Sequence, residues 1–323
     1  MKETAFLISI DVEEDMPGWQ IAPEISVRNI EALPRLQALC DTYGVRPTYL
    51  ITYPMAVEAQ SRRVLEGLLA TGRCEIGAHL HVWNTPPLPN GPERVARRAN
   101  HLPREEMANK LATLTEAISA SFGIVPRAFR AGRFGIDGDG LAALDRLGYW
   151  VDSSVTSGTS WLEEDGPDFR SAPWRPYFPS AQDPSRRGNL RLLEVPVSAG
   201  FTRRIPAWAK TLYLHLPRWT RLRGLLSRDY ANLLEFYWLS PWGRSERDLI
   251  RVSDVLLAEG APMLNIFLHS SELFPKTSAY ATNEGEVDAY FDKLDALMAH
   301  ATGQCGCVGQ TLSEFRTSYA GKA

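Results

Sequence analysis

The feature that most constrains this chain is a repeated alternation of short apolar runs with longer helical patterns, clearest at its two ends. Residues 5–10 form an almost continuous apolar run that leads into acidic residues, the pattern of a buried strand. Residues 28–43 predict a helix stopped by Gly44, and residues 46–52 the next strand. Residues 56–71 predict a second helix, ended by Gly72, and residues 74–79 a third strand. A strong helix over 104–122 ends at Gly123, followed by a strand at 127–130, a helix at 140–147 and a strand at 149–152. Strands are also predicted at 190–197 and 263–268, and no internal repeat is present. Alternation of this kind implies a parallel sheet covered by helices, either open or closed into a barrel.

In both arrangements chemistry belongs at the C-terminal ends of the strands. The notable polar residues fall there. Asp11 and Glu13 follow the first strand, His79 and His81 the third, Arg130 its own strand and His269 the last. Asp152, with Ser153 and Ser154, ends another strand and is expected to line the pocket; for Glu194, on the strand before Pro196, pocket and structural readings both stay open.

At 323 residues, 44% of them hydrophobic and 23% charged, the chain can bury a sizeable core. A net charge of -3 argues against a nucleic-acid partner, because no basic excess exists to displace counterions from phosphates. The N-terminus lacks the basic start, long apolar stretch and cleavage site of a secretory signal. No uninterrupted run approaches the ~20 apolar residues of a membrane-spanning helix. The expectation is a cytoplasmic protein, with a possible face on the inner membrane. Cys40, Cys74, Cys305 and Cys307 fit a reducing compartment. Zinc ribbons need two Cys pairs, so Cys305 and Cys307 read as unpaired thiols.

Residues 157–245 break the alternation. They are rich in Pro, Arg and Trp, and they read as an insertion elaborating a single domain that spans residues 1–323. Residues 205–242 mix Trp208, Trp219, Trp238 and Trp242 with Lys210 and several arginines. Such a stretch is expected to cap the barrel and shape substrate access, and it has the composition of a peripheral membrane contact.

Hydrolysing an amide near neutral pH needs an activated water, a stabiliser for the carbonyl oxygen and an acid for the leaving amine. A metal with an open coordination position supplies the first two. Asp11-Val12-Glu13-Glu14-Asp15 places carboxylates at a strand end, where one can bind an ion while another acts as base. His79-Leu80-His81 supplies two imidazoles that share one side if strand geometry continues through them. His101, His215 and His300 read as surface or packing residues.

With these motifs assembled, the chain resembles the polysaccharide deacetylase superfamily, also called carbohydrate esterase family four. The resemblance rests on Asp11-Val12-Glu13, on Gly77-Ala78-His79-Leu80-His81, on Arg130-Ala131-Gly132-Arg133 and on Asn265-Ile266-Phe267-Leu268-His269. Their order and spacing agree over nearly the whole chain, in a subgroup with a His-Leu-His-x-Trp pattern that here ends at Trp83. The resemblance implies a distorted (β/α) barrel of about seven parallel strands, with the aromatic-rich insertion helical. It implies metal-dependent removal of an N-acetyl group from an acetamido sugar, the partner being an amino-sugar glycan or a precursor of a surface polysaccharide. One divalent ion, zinc first, is implied with Glu13, His79 and His81 as ligands. Asp11 would be the general base, Arg130 would hold it charged, and His269 would protonate the amine. Arg133 would complete the oxyanion site through a backbone N–H, and Trp83 and Asp152 would join it in contacting substrate. Two departures stand out. Glu14 or Asp15 can replace Glu13 as the ligand, and the family's second histidine is spaced four from the first, where this chain has Trp83. A silent sugar-binding barrel, or a hydrolase of another amide or an O-acetyl ester, are the competing readings.

Overall fold

Along the first strand, β1 (Ala5–Val12), successive side chains enter two different environments. Phe6, Ile8, Ile10 and Val12 pack among the residues that meet the helices, whereas Ala5 and Leu7 belong to a separate cluster with Leu50, Ala128, Val151, Leu193, Val195 and Met263. Two buried faces on one strand fit either a sheet covered by helices on both sides or one that curls around its own interior. The computed structural model describes residues 3–21, 24–88, 98–216 and 234–321. It shows that curl.

The strands after β1 are β2 (Thr48–Ile51), β3 (Glu75–Leu80), β4 (Ala128–Ala131), β5 (Val151–Asp152), β6 (Leu193–Glu194), β7 (Ala199–Phe201), β8 (Phe236–Trp238), β9 (Met263–His269) and β10 (Val308–Gly309). Seven parallel strands run β9-β1-β2-β3-β4-β5-β6, and short β10 pairs with the start of β1. Hydrogen bonds join the two ends of this sheet. Ser198 N–H donates to the Asn265 carbonyl at 3.0 Å, and Asn265 Nδ2 donates to the Val195 and Pro196 carbonyls at 3.3 and 3.2 Å. The result is the expected distorted (β/α) barrel. Leu312 and Phe315, on the helix Leu312–Ala320, add to the interior apolar cluster. Polar residues fill the interior above it.

The helices follow the sequence with two informative differences. In the helix Arg104–Phe122, Met107, Leu111, Leu114 and Ile118 are buried at helical spacing, and Gly123 ends it at φ 66°. The helix expected over 28–43 is a 3₁₀ turn, Arg28–Ala32, followed by an α-helix, Leu33–Thr42. Pro34 lacks the N–H needed to carry one α-helix across this point. The helix expected over 56–71 divides into Tyr53–Val57 and Ala59–Leu69 at Glu58, whose backbone is extended (ψ 134°), and Ser61 Oγ donates to the Met55 carbonyl that the break leaves open. The strand expected over 190–197 pairs with β5 only at Leu193–Glu194, although the Val195 and Val197 N–H groups still donate to the Asp152 and Val155 carbonyls at 2.8 and 3.2 Å.

Within the insertion, the described residues hold the helix Ala207–His215 and an antiparallel ribbon of β7 and β8. Part of the stretch expected to be helical is therefore a strand. Residues 217–233, with Trp219, lie outside the described residues. Among the described residues no helix is long and apolar enough to cross a membrane.

Candidate active site

Strand parity carries the polar residues of the motifs into the barrel. Continuing the Ala5, Leu7 face of β1 upward gives Ser9, then Asp11, then Glu13. The register sets Asp11 beside His269 on β9 and His79 beside Arg130 on β4. Gly77, two residues before His79, keeps this face open: a Cβ there would lie 2.5 Å from the Ala128 carbonyl oxygen and 2.6 Å from Leu50 Cδ2.

Arg130 is wholly buried and fully engaged. Its Nε donates to the Ser153 carbonyl at 2.8 Å, its Nη2 to Ser9 Oγ at 2.6 Å, and its Nη1 to Asp11 Oδ1 at 2.7 Å. Asn265 braces the same layer, accepting from Ser9 Oγ at 2.8 Å and donating to Ser153 Oγ at 3.1 Å. Burial opposes ionisation of Asp11, but Arg130, with His79 and His269, outweighs it and holds the carboxyl below its usual pKa. Oδ2 of Asp11 is the oxygen turned to the histidines, 3.6 Å from His79 Nε2.

Glu13, His79 and His81 converge, with one ligand atom from each lying within 4.8 Å of the others. His79 Nδ1 donates to the Arg130 carbonyl at 3.0 Å, so its Nε2 faces Asp11 and Glu13. Burial, helped by His81 and Arg130, pushes its pKa down to about 3 despite Asp11, and the ring is neutral as a metal ligand must be. His81 follows the end of β3, and its Nε2 lies 3.2 Å from Glu13 Oε2. Glu14 Oε1 sits 2.9 Å from His81 Nδ1 and accepts from Trp83 Nε1 at 3.1 Å. Burial would lower the His81 pKa, yet Glu14 and Glu13 raise it to about 10. Burial raises Glu13 itself. Glu13, His79 and His81 could together hold one divalent ion, since imidazole and carboxylate donors suit it.

The three acidic candidates take separate places. Glu13 meets both histidines and Glu14 backs His81. Asp15 points away, accepting from Ser26 Oγ at 2.6 Å and from Asn29 Nδ2 at 2.7 Å, and so fixes the loop before the first helix.

His269 stands across from this group. Its Nδ1 lies 3.0 Å from Glu272 Oε1, and Tyr290 O–H donates to the other oxygen of that carboxylate. Burial lowers the His269 pKa, but Glu13, Glu272 and Asp11 raise it to about 9. Glu272 is the main functional candidate that the sequence reading missed. Its signal was a carboxylate three residues beyond a strand-end histidine. It also closes a capping box with His269.

Asp11, Glu13, His79, His81, His269 and Glu272 open on a cavity of about 680 Å³ walled by Trp19, Trp83, Trp161, Trp238, Trp242 and Tyr280. Arg133 lies in the lining with φ 54°, and Phe134 follows at φ 56°. Consecutive left-handed residues with side chains cost about 1–3 kcal/mol each and persist only under restraint. Phe134 stacks on Trp161 at 5.5 Å, and Arg133 lies 5.2 Å over the Trp83 ring.

Two solved structures share this architecture across nearly the whole chain. One is a candidate polysaccharide deacetylase from Mycobacterium smegmatis, with a TM-score of 0.58 and 15% identity over 100% of this chain and 92% of that one. Another is a candidate glycoside hydrolase/deacetylase from Parabacteroides distasonis, with a TM-score of 0.64 and 13% identity over 98% of this chain and 70% of that one. The fold is that of the polysaccharide deacetylases. No family model matches the chain, and no curated protein matches it. At such identities the likeness concerns architecture, and residue roles rest on the geometry above.

Within this polysaccharide-deacetylase fold, Asp11, Glu13, His79, His81, Trp83, Arg133 and His269 all line the cavity, and Arg130 supports it from behind. Asp152, expected to line the pocket, does not. Val151 and Ser153 point into the barrel, so the residue between them faces outward, where Asp152 pairs in register with Glu194. Both carboxylates are 0% exposed. Burial raises Asp152 to about 6 and Glu194 well above the usual carboxylate range, the Asp152 charge adding to the shift of Glu194. All four cysteines are free. Cys305 Sγ lies 3.3 Å from His300 Nε2, which also meets Asp254 Oδ1 at 2.7 Å, and none of these three lines the cavity. His101 and His215 are exposed, as read from the sequence.

Proposed function

We propose that this protein is a metal-dependent N-deacetylase acting on an acetamido sugar. The observation that supports this reading most is one cavity holding three separate sets of groups. They are a Glu-His-His donor set, a carboxylate kept ionised by a buried arginine, and an imidazole kept protonated by a second carboxylate. Glu13, His79 and His81 would hold the ion, zinc first among candidates because imidazole and carboxylate donors suit it. The ion, when bound, lowers the pKa of a water and polarises the acetyl carbonyl.

The chain's own residues supply the remaining chemistry. Asp11 accepts the proton of the attacking water through Oδ2, because Oδ1 is committed to Arg130. Arg130 keeps that carboxylate anionic without taking the proton itself. The backbone N–H of Arg133 donates to the oxygen that gains charge as the carbonyl becomes tetrahedral. His269, with Nδ1 held by Glu272, protonates the departing nitrogen through Nε2. An amine cannot leave as an anion, so the acid is indispensable for an amide and less so for an ester. A His269 held protonated by Glu272 supplies that acid. The aromatic wall, placed where sugar rings would lie, supports a glycan or glycan precursor as the acceptor.

Acetate release from acetamido sugars, nucleotide sugars, lipid-linked glycans and O-acetylated xylan tests the reading. Turnover of at least one N-acetyl substrate above that of every O-acetyl ester is expected. Exclusive turnover of the esters would replace the amide assignment.

A further inference from the structure

Arg133 and Phe134 need something to hold them in the left-handed conformation. Residues 98–100 do this. Arg98 is 3% exposed, and its Nη1 donates to the Arg133 carbonyl at 2.7 Å while Nη2 donates to Glu164 Oε2 at 2.7 Å. Asn100 N–H donates to the Gly135 carbonyl at 3.0 Å, so both ends of the strained turn are pinned. The backbone is shaped around this side chain. A Cβ on Gly135 would lie 2.7 Å from Arg98 Cβ, and one on Gly166 would lie 2.3 Å from Arg98 Nη1. The guanidinium also lies 5.2 Å over the ring of Trp161, the residue that stacks on Phe134.

We propose that Arg98 is a positioning residue. It locks Arg133 and Phe134 in the left-handed form and ties them to the Trp161 wall. The N–H of Arg133 and the apolar wall are then presented together to one acetyl group. Glu164 balances the charge, which lets a buried guanidinium serve a neutral carbonyl at tolerable cost. Lysine cannot substitute fully, because a single ammonium lacks the planar fork that reaches two acceptors. The catalytic consequence rests on the deacetylase reading, whereas the hold on the backbone does not.

The test uses Arg98→Met and Arg98→Lys in the full chain loaded with zinc. Amide hydrogen exchange over residues 132–135, zinc content, and kcat and KM for acetate release are measured together. Faster exchange at 132–135 is expected in both variants, with zinc content unchanged. The kcat of Arg98→Met should fall roughly ten- to a hundred-fold with KM little altered, the penalty of a misplaced reacting group. Arg98→Lys should be milder, and it carries the test if Arg98→Met does not fold. Unchanged exchange in a folded variant, or a loss confined to KM, would overturn the proposal. If the wild type releases no acetate from any substrate, the deacetylase reading fails, and the exchange measurement still decides whether Arg98 holds the turn.

Discussion

At the scale of single residues, the site works by keeping neighbouring groups in opposite protonation states. Asp11 stays ionised because Arg130 outweighs its burial, and His269 stays protonated because Glu13, Glu272 and Asp11 outweigh its own. Asp11→Asn and His269→Ala are each expected to lose roughly 10²–10⁴ in turnover, the usual range for acid–base groups, while zinc content is retained. Activity that needs a protonated His269 declines as pH rises through its pKa, at about 9 or below once Glu13 is committed to an ion. Glu272→Gln removes a group that raises this pKa, so the alkaline limb of the pH–rate profile should move to lower pH. A limb that stays in place in Glu272→Gln would separate Glu272 from His269. The placement of Asp11, Arg130 and His269 together was legible in the sequence, because each ends an apolar strand, whereas the roles proposed for them came from the family resemblance. Glu272 was not, since its relation to His269 arises from a turn geometry and from Tyr290 on a helix formed later in the chain.

At the scale of elements, close approach between strand ends determines where the ligands stand. A Cβ on Gly132 would lie 2.6 Å from the Leu80 carbonyl oxygen and 2.7 Å from His81 Cδ2. Gly132→Ala should therefore displace the His81 ring and weaken zinc affinity, as equilibrium dialysis would measure, with helix content by circular dichroism preserved. Affinity equal to wild type would mean that His81 is not held by this contact. The buried Asp152–Glu194 pair predicts a stability effect of defined sign. Both acids bind protons more tightly folded than unfolded, so their contribution is greatest at low pH. It is lost as pH rises from roughly 4, the unfolded value, through about 6 and above in the folded state. Glu194→Gln removes one ionisable partner and should flatten the fall of Tm between pH 5 and pH 8 relative to wild type. Parallel curves would contradict raised pKa values for the pair. The outward face of Asp152 was beyond the sequence reading, because the register of a two-residue strand follows from its neighbours. The boundaries at Pro34 and Glu58 shifted for local backbone reasons, a missing N–H at one and an extended residue at the other, that periodicity does not register.

At the scale of the molecule, the barrel was legible because its strands alternate with helices and end in polar residues, whereas the insertion was not. Its order comes from tertiary aromatic contacts, such as Phe134 with Trp161 and Trp238 and Trp242 with Tyr280, which leave no periodic trace. Those rings form the cavity wall, and Trp242, which packs on Tyr280 away from the Arg133 turn, tests it: Trp242→Ala should chiefly raise KM for longer glycans, with less effect on the smallest acetamido sugar. An equal loss of kcat on both would assign the wall to the chemistry instead. The central claim is that an ion held by Glu13, His79 and His81 drives acetate release. It is tested most directly by titrating zinc into chelator-stripped protein while following bound metal and acetate together. Acetate release should rise in proportion to bound zinc and saturate at about one ion per chain, the capacity of a single three-ligand site. His79→Ala should show neither. Full acetate release by metal-free protein, or saturation with zinc at this site without any release across the N-acetyl panel, would contradict the account.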